Sequence, residues 1–205
     1  MTPDKLKGLL EKEISEIQRI PLQRVSDLIF QISRNTTQNT RIITSGMGKA
    51  GQIAHTFATT LSSVGMPSFF LHPSEAQHGD LGIVCPGDLV ICFSNSGQTR
   101  EVHELIDLVH KMGYGNLVYA IVGTSNFDLE TKCAEVLEFG KAEEICPLGL
   151  TPTTSTTIMS IICDLIVVGL IKEKEFTKEK YSKTHHGGYL GKLSKAQKIY
   201  ESTQN

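Results

Sequence analysis

The feature that most constrains this chain is an alternation of short apolar runs with segments of helical period. The runs are Arg41-Ile42-Ile43-Thr44, Ser68-Phe69-Phe70-Leu71, Leu89-Val90-Ile91-Cys92-Phe93, 117–122 and Val136-Leu137-Glu138-Phe139. Each is short for a helix and near-continuously apolar, as a strand covered on two sides must be. Ile53, Phe57, Leu61 and Val64, then Val102, Leu105, Ile106 and Val109, recur at helical spacing, while 126–132 and 156–171 read as a short helix and a long, largely apolar one. Two amphipathic helices come first, carrying Leu6, Leu9, Leu10, Ile14 and Ile17, and, after Pro21, Leu22, Val25, Leu28, Ile29 and Ile32. Residues 72–82 are polar and irregular, and Pro86-Gly87-Asp88 is a turn. Strands and crossovers at this spacing give parallel pairing. The sequence therefore predicts an α/β fold: a doubly wound, mostly parallel five-stranded sheet flanked by helices.

A chain of 205 residues supplies one such domain, spanning 1–205, and is too short for two. Its formal net charge of −2 removes the electrostatic reason to expect nucleic acid or a membrane as partner. Five cysteines, odd in number and without a C-x-x-C pair, argue against a disulfide framework or zinc knuckle and fit a reducing, cytoplasmic setting. The charged N-terminus (Asp4, Lys5, Lys7) lacks a signal-peptide segment. The longest apolar run, 158–171, is broken by Ser160 and Asp164 and is short for a membrane span, so neither export nor insertion is expected.

Ser94-Asn95-Ser96-Gly97-Gln98-Thr99 joins the third run to its helix. Three hydroxyls and a flexible glycine at such a turn can surround a phosphate, because free N–H groups and the positive end of the helix dipole point into the same space. A polar turn with one Ser or Thr N-cap is the plainer alternative, and it accounts for one hydroxyl rather than three. Gly46-x-Gly48-x-x-Gly51 follows the first run and opens a helix, the context of a dinucleotide fingerprint. Against that reading, Lys49 sits inside the turn, and the second run ends in His72-Pro73 rather than in an acid that would hold a ribose. Ala50 stands where a P-loop needs Ser or Thr. A Lys here is placed instead to meet an anion or polarise a carbonyl.

His72, Glu75 and His78 have the spacing of a metal set, but Pro73 disturbs a regular helix across them and no further ligand stands nearby. His78-Gly79-Asp80 reads better as a loop over a polar ligand. Glu101 opens the helix after the hydroxyl loop, where a carboxylate complements the dipole. Glu143-Glu144 is either solvated or has one acid held under the sheet edge with a raised pKa, as a base. Thr151-Pro152-Thr153-Thr154-Ser155-Thr156-Thr157 opens the longest helix with six hydroxyls where one cap would suffice, so the others are candidates to line a sugar site. His55, His103 and His110 fall on helical surfaces and read as structural or solvated. Residues 172–183 are charged and precede His185-His186-Gly187-Gly188-Tyr189-Leu190-Gly191, a loop too unusual to be only a tail.

Together these segments resemble a known family. The order Ser-Gly-Met-Gly-Lys-Ala-Gly (45–51), Ser-Phe-Phe-Leu-His-Pro (68–73), Glu-Ala-Gln-His-Gly-Asp-Leu-Gly (75–82), Ser-Asn-Ser-Gly-Gln-Thr (94–99), Cys-Pro-Leu-Gly-Leu-Thr-Pro-Thr (146–153) and His-x-Gly-Gly-x-Leu-Gly-Lys (185–192) is similar to the sugar isomerase (SIS) domain of arabinose-5-phosphate isomerases. The serine loop alone identifies the wider SIS group, and the His-Gly-Asp-Leu-Gly, Cys-Pro-Leu-Gly-Leu and His-x-Gly-Gly segments point to this branch. The resemblance implies a flavodoxin-like or Rossmann-like three-layer sandwich. It also implies interconversion of D-ribulose 5-phosphate and D-arabinose 5-phosphate, the first step towards the acid sugar Kdo of lipopolysaccharide or capsule, with no cofactor and no metal. By the same resemblance Ser94, Ser96 and Thr99 bind the phosphate, and Lys49, Glu101, Glu144 and His185 form the catalytic set. Ser45, Gly46, Gly48, His78, Asn95, Thr153, Ser155 and His186, in or beside the loops read above, are expected to join the substrate-binding group. Family members usually place a proline where this chain has His186, so either His185 or His186 is the acting imidazole. Many members carry a CBS pair downstream; this sequence stops at Asn205, no regulatory tail is expected, and a downstream nucleotide-sugar inhibitor would act in the isomerase pocket. SIS proteins resemble one another in forming dimers and tetramers, so a homotetramer with the helices of 1–40 at its contacts is expected.

Moving a proton between C1 and C2 through an enediol needs a base, an acid and a positive group near the carbonyl oxygen. Glu144 is expected as base at carbon, Lys49 as stabiliser of the enediolate oxygen, and His185 for proton transfer at oxygen or ring opening. Glu101 orients the sugar or shares the acid/base work; at this stage the roles are interchangeable. The competing readings are an SIS isomerase of another ketose phosphate, a non-catalytic sugar-phosphate sensor, which would usually carry a helix-turn-helix, and an NAD-dependent oxidoreductase.

Overall fold

The computed structural model describes residues 1–191 apart from 38, 115, 116, 188 and 190. Helices α1 (Pro3–Ile17) and α2 (Leu22–Asn35) precede β1 (Ile42–Gly46), α3 (Gly48–Ser63), β2 (Ser68–Phe70), α4 (Pro73–Ala76) and a 3-10 turn at Asp80–Ile83. Then follow β3 (Leu89–Ser94), α5 (Arg100–Lys111), β4 (Val118–Val122), α6 (Phe127–Lys132), β5 (Glu135–Glu138), α7 (Thr154–Glu173) and α8 (Lys178–Thr184). The strand order is β2-β1-β3-β4-β5, and every pairing is parallel. The expected sheet is present, and it is wholly rather than mostly parallel. The segment read as irregular, 72–82, holds two short helical turns, the first opened by Pro73, since proline suits a helix's first position. The charged 172–183 stretch holds α8, whose Thr177 hydroxyl accepts from Lys180 N at 3.2 Å.

Alternation along each strand serves two helical layers. Leu89, Ile91 and Phe93 of β3 join a core with Leu28 and Ile32 of α2, Phe57 and Leu61 of α3, and Ile162 and Ile166 of α7. Val90 and Cys92 join a second core with Leu105, Ile106 and Val109 of α5 and Leu129 of α6. Burying each such side chain fully contributes about 1.5–3 kcal/mol. At 20 residues, α7 exceeds the run read from sequence and is long and apolar enough to cross a bilayer by length and composition. Half of its apolar window is buried in the domain, and it packs on α2 and α3. Its hydropathy is that of a core helix.

The strand order reverses at β1 and β3: from β1 the chain winds outward to β2, then returns to start β3 on the other side. The carboxyl ends of β1 and β3 therefore flank the crevice where doubly wound sheets bind ligands. Gly46 is in register with Phe93 there. At the opposite, amino edge Arg41 Nε donates to Asp88 Oδ1 at 3.0 Å and Nη2 to Oδ2 at 2.5 Å, and Cys85 N donates to the same carboxylate at 2.8 Å. In contrast with the core helices, α1 buries no residue fully, and Leu6, Leu10 and Ile14 leave an exposed apolar stripe.

Candidate active site

The Gly-rich turn carries the chain from β1 into α3 within two residues. A Cβ on Gly51 would stand 2.3 Å from Gly46 O, so the third glycine is what lets α3 begin against the strand end. Lys49 is exposed in the first turn of α3, with one long contact, Nζ to Gln52 Oε1 at 3.4 Å. Its ammonium is available to an anion in the crevice. Gly46 is buried and Gly48 exposed on either side of the bend. Ser45 differs from its expectation: it is completely buried, and its hydroxyl donates to Leu71 O at 2.6 Å. That bond ties β1 to the end of β2 and turns the side chain away from the ligand-facing group.

The hydroxyl loop is preorganised around a buried Ser94. Ser94 Oγ lies 2.8 Å from Thr99 Oγ1 and accepts from Gly97 N at 3.1 Å, while Ser96 Oγ accepts from Gln98 N at 3.1 Å. Thr99 occupies the N-cap position of α5 yet makes no side-chain capping bond, so the single-cap alternative does not describe this loop. The first-turn N–H groups of α5 and its positive dipole end stay directed at the same space. Gly97 has φ +65°, and a Cβ on it would meet Thr124 O at 2.0 Å. Its own carbonyl accepts from Asn126 Nδ2 at 2.6 Å and lies 2.8 Å from His103 Nε2. His103 Nδ1 is in turn 2.7 Å from Asp128 Oδ2, so this histidine is structural. Asn126 also caps α6, accepting from Leu129 N at 2.9 Å; the sequence places it inside that short helix and gives no sign of its support of the loop. Asn95 and Ser96 are exposed at the tip, and Glu101 is partly buried in the first turn of α5.

Residues 139–153 leave β5 at the same edge and bring Glu144 to the start of α7. Glu144 Oε2 accepts from Thr153 N at 2.6 Å, Thr153 Oγ1 at 2.8 Å and Ser155 N at 3.4 Å. The carboxylate thereby caps a helix whose N-cap residue makes no such bond of its own. Burial alone would raise its pKa, but the hydroxyl and N–H groups of Ser155 and Thr153 outweigh burial and hold it below the usual carboxylate value. Of the two readings of this acid pair, solvated or held with a raised pKa, the second is reversed in direction: Glu144 is held, with its pKa lowered. All its described hydrogen bonds of normal geometry fall on Oε2. Of the hydroxyls at this helix start, Thr156 and Thr157 donate to Thr153 O and Thr154 donates to Glu13 Oε2. Ser155 Oγ is buried and forms no hydrogen bond of normal geometry, although its closeness adds to the lowering at Glu144. In the preceding turn the Thr151 hydroxyl, with the N–H groups of Thr151, Leu148 and Leu150, brings the Cys146 thiol down to about 7.

His78 is exposed on the turn after α4, and His72 Nδ1 is buried without a partner at the end of β2. Among the described residues no group of three His, Cys, Asp or Glu is placed to hold a metal. His185 and His186 are not brought to the crevice. Thr184 Oγ1 donates to Ser63 O at the far end of α3, and His185 stacks on Tyr181 with centroids 3.7 Å apart. This is the amino edge, removed from the hydroxyl loop by roughly a strand length, ~17 Å for five residues. Gly188, Leu190 and Lys192 of the same motif lie outside the described residues.

Fold and site together define a class, an all-parallel α/β domain with a hydroxyl-rich loop at its topological switch point. The chain belongs to the SIS domain family, whose model matches residues 36–169. It is similar to arabinose 5-phosphate isomerase KpsF of Escherichia coli, with 40% identity over 170 residues, 83% of this chain and 51% of that protein. The chain therefore spans about half the length of the curated relatives it matches. Among solved structures it resembles a Bacteroides fragilis protein named for a phosphosugar isomerase involved in capsule formation, at TM-score 0.86 and 46% identity, over 91% of this chain and 98% of that one. An Escherichia coli CFT073 protein in complex with arabinose 5-phosphate superposes at TM-score 0.80 and 31% identity, over 90% of this chain and 100% of that one.

Proposed function

We propose that this chain is an aldose–ketose isomerase interconverting D-ribulose 5-phosphate and D-arabinose 5-phosphate, supplying Kdo synthesis for lipopolysaccharide or capsule. The observation that supports the reading most is that the Ser94–Thr99 loop, the Lys49 turn and Glu144 all follow strands at the carboxyl edge of one parallel sheet. The substrate rests on the likeness to an enzyme named for that reaction and to a protein solved with arabinose 5-phosphate. The phosphate sits among Ser94, Ser96, Thr99 and the first N–H groups of α5. Glu144 Oε1 takes the C2 proton of the open-chain aldose, O1 gains a proton, and Lys49 offsets charge on the enediolate oxygen. The proton is returned to C1 as the C2 hydroxyl loses its own, which gives the ketose. Glu101 orients the sugar hydroxyls.

His185 or His186 serves the reaction only from a neighbouring subunit, because a subunit's own pair lies at the opposite edge. A homotetramer with α1 at its contacts accounts for the open Leu6, Leu10 and Ile14 stripe. A downstream nucleotide sugar inhibits by competing in the same pocket, and the protein works in the cytoplasm. The test is incubation with ribulose 5-phosphate followed by NMR of the sugar. Arabinose 5-phosphate is expected to form without nicotinamide, and Glu144→Gln to lose at least about 10²-fold in kcat while still binding sugar phosphate. A different aldose phosphate, or none, overturns the assignment.

A further inference from the structure

The Glu144 carboxylate rests on the start of α7, but its backbone sits in the 139–153 segment, which has neither helix nor strand, so other contacts must hold that backbone. Both of its neighbours are tied through polar groups to α1. Glu143 N donates to Glu16 Oε2 at 3.1 Å, and Arg19 Nη1 orients that carboxylate at 2.9 and 3.0 Å. On the other side, Ile145 N donates to Thr154 Oγ1 at 3.1 Å, and the same hydroxyl donates to Glu13 Oε2 at 2.6 Å. Thr154 is fully buried, so its hydroxyl is committed to this relay in both roles. A third link, Lys12 Nζ to Glu143 Oε1 at 2.5 Å, is exposed and contributes little.

Apolar packing supplies little of this support, Ile17 of α1 and Ala142 of the segment each meeting the core only partly buried. A cavity of about 760 Å³ opens between α1 and the segment, lined by Lys12, Glu16, Arg19 and residues 141–149, and α1 buries none of its side chains fully. Resting on the isomerase reading above, we propose that Glu13 and Glu16 are positioning residues that fix the Glu144 carboxylate from α1, Glu13 acting through Thr154. Neither touches the sugar. Misplacing a reacting group by about 1 Å costs on the order of 10² in rate, so losing the relay should lower kcat and leave KM nearly unchanged.

The test compares Glu13→Ala, Glu13→Gln and Glu144→Gln, singly and combined. Glu13→Ala should lose about 10- to 100-fold in kcat with KM within about twofold. Glu13→Gln, whose amide oxygen still accepts from Thr154, should recover most of it. Adding Glu13→Ala to Glu144→Gln should cost little more than Glu144→Gln alone, because coupled groups are not additive. NMR titration of labelled Glu carboxyls supplies a readout that needs no turnover. With Lys12, Arg19, Glu16 and Glu143 left in place, Glu144 should titrate higher in Glu13→Ala than in Glu13→Gln, which lacks the same charge but keeps the acceptor, as its bonds from Thr153 and Ser155 loosen. The same Glu144 titration in Glu13→Ala and Glu13→Gln, a kcat for Glu13→Ala within about twofold of the parent, or additive losses overturn the clamp. A parent protein that makes no arabinose 5-phosphate while the titration still moves counts against the isomerase reading and leaves the clamp standing.

Discussion

Replacing Gly97 with Ala separates the shape of the phosphate loop from its hydroxyls, all of which the variant keeps. The new Cβ would stand 2.0 Å from Thr124 O, where real contacts stay beyond 3.0 Å, so one backbone must move by about 1 Å. Thr124 is itself pinned, its N–H donating to Asn95 O at 3.2 Å. The left-handed conformation costs an alanine about 1–2 kcal/mol. The two bonds onto the Gly97 carbonyl, from Asn126 and His103, contribute roughly 0.5–1.5 kcal/mol each. A loss of about 2–5 kcal/mol follows, or ~4–20 °C in Tm for a domain of this size. In initial-rate measurements of aldose formation, displacing the cradle by that ångström should lower kcat/KM on the order of 10²-fold. A Tm within about 2 °C of the parent together with kcat/KM within about threefold would refute the reasoning, because the loop would then have tolerated a methyl group where the backbones meet.

Further outcomes can be checked independently. Arg41→Met leaves the buried Asp88, among the described residues, with only its bond from Cys85 N; with Arg41 itself about a third exposed, losing the charged hydrogen bonds should cost about 1.5–3 kcal/mol, read as a lower urea midpoint, and an unchanged midpoint would show the pair to be dispensable. Iodoacetamide at pH 7 should label Cys146 before the buried Cys92 and Cys163 and the half-buried Cys133, whose thiols burial pushes up; with Cys146 brought down to about 7, its rate should fall about fivefold from pH 7 to pH 6, as peptide mass spectrometry can resolve. Because the folded pKa of Glu144 lies below its ordinary 4.5, its contribution to stability is complete above that value and lost as pH falls through the lowered one. Tm plotted against pH should therefore drop less steeply below pH 4.5 for Glu144→Gln than for the parent, and parallel curves would contradict the shift.

The sheet was legible because its residues carry the pattern within a few positions of one another. Leu89-Val90-Ile91-Cys92-Phe93 can be little other than a strand buried on both faces, and the observed element adds only Ser94. The short turns at 73–76 and 80–83 escaped because hydroxyls, histidines and glycines mask any period. Within the site, the serine loop could be read from composition and position, since each hydroxyl bonds within the loop itself. Glu144 could be found, but not its charge state, which depends on capping α7 from nine residues away. Glu13 and Glu16 carried no local signal, because the groups they hold lie more than a hundred residues on. The histidine motif was recognisable as a unit while its edge of the sheet was not, since α8 docks through Thr184 onto the end of α3.

The central claim is that a sugar phosphate binds by its phosphate at the carboxyl edge of β3. A crystal structure of the full chain with arabinose 5-phosphate tests it most directly. The phosphorus is expected within hydrogen-bonding reach of Ser94, Ser96 and Thr99, with the sugar carbons directed toward Lys49 and Glu144 Oε1. A phosphate seated elsewhere, with the hydroxyl loop empty, would contradict it.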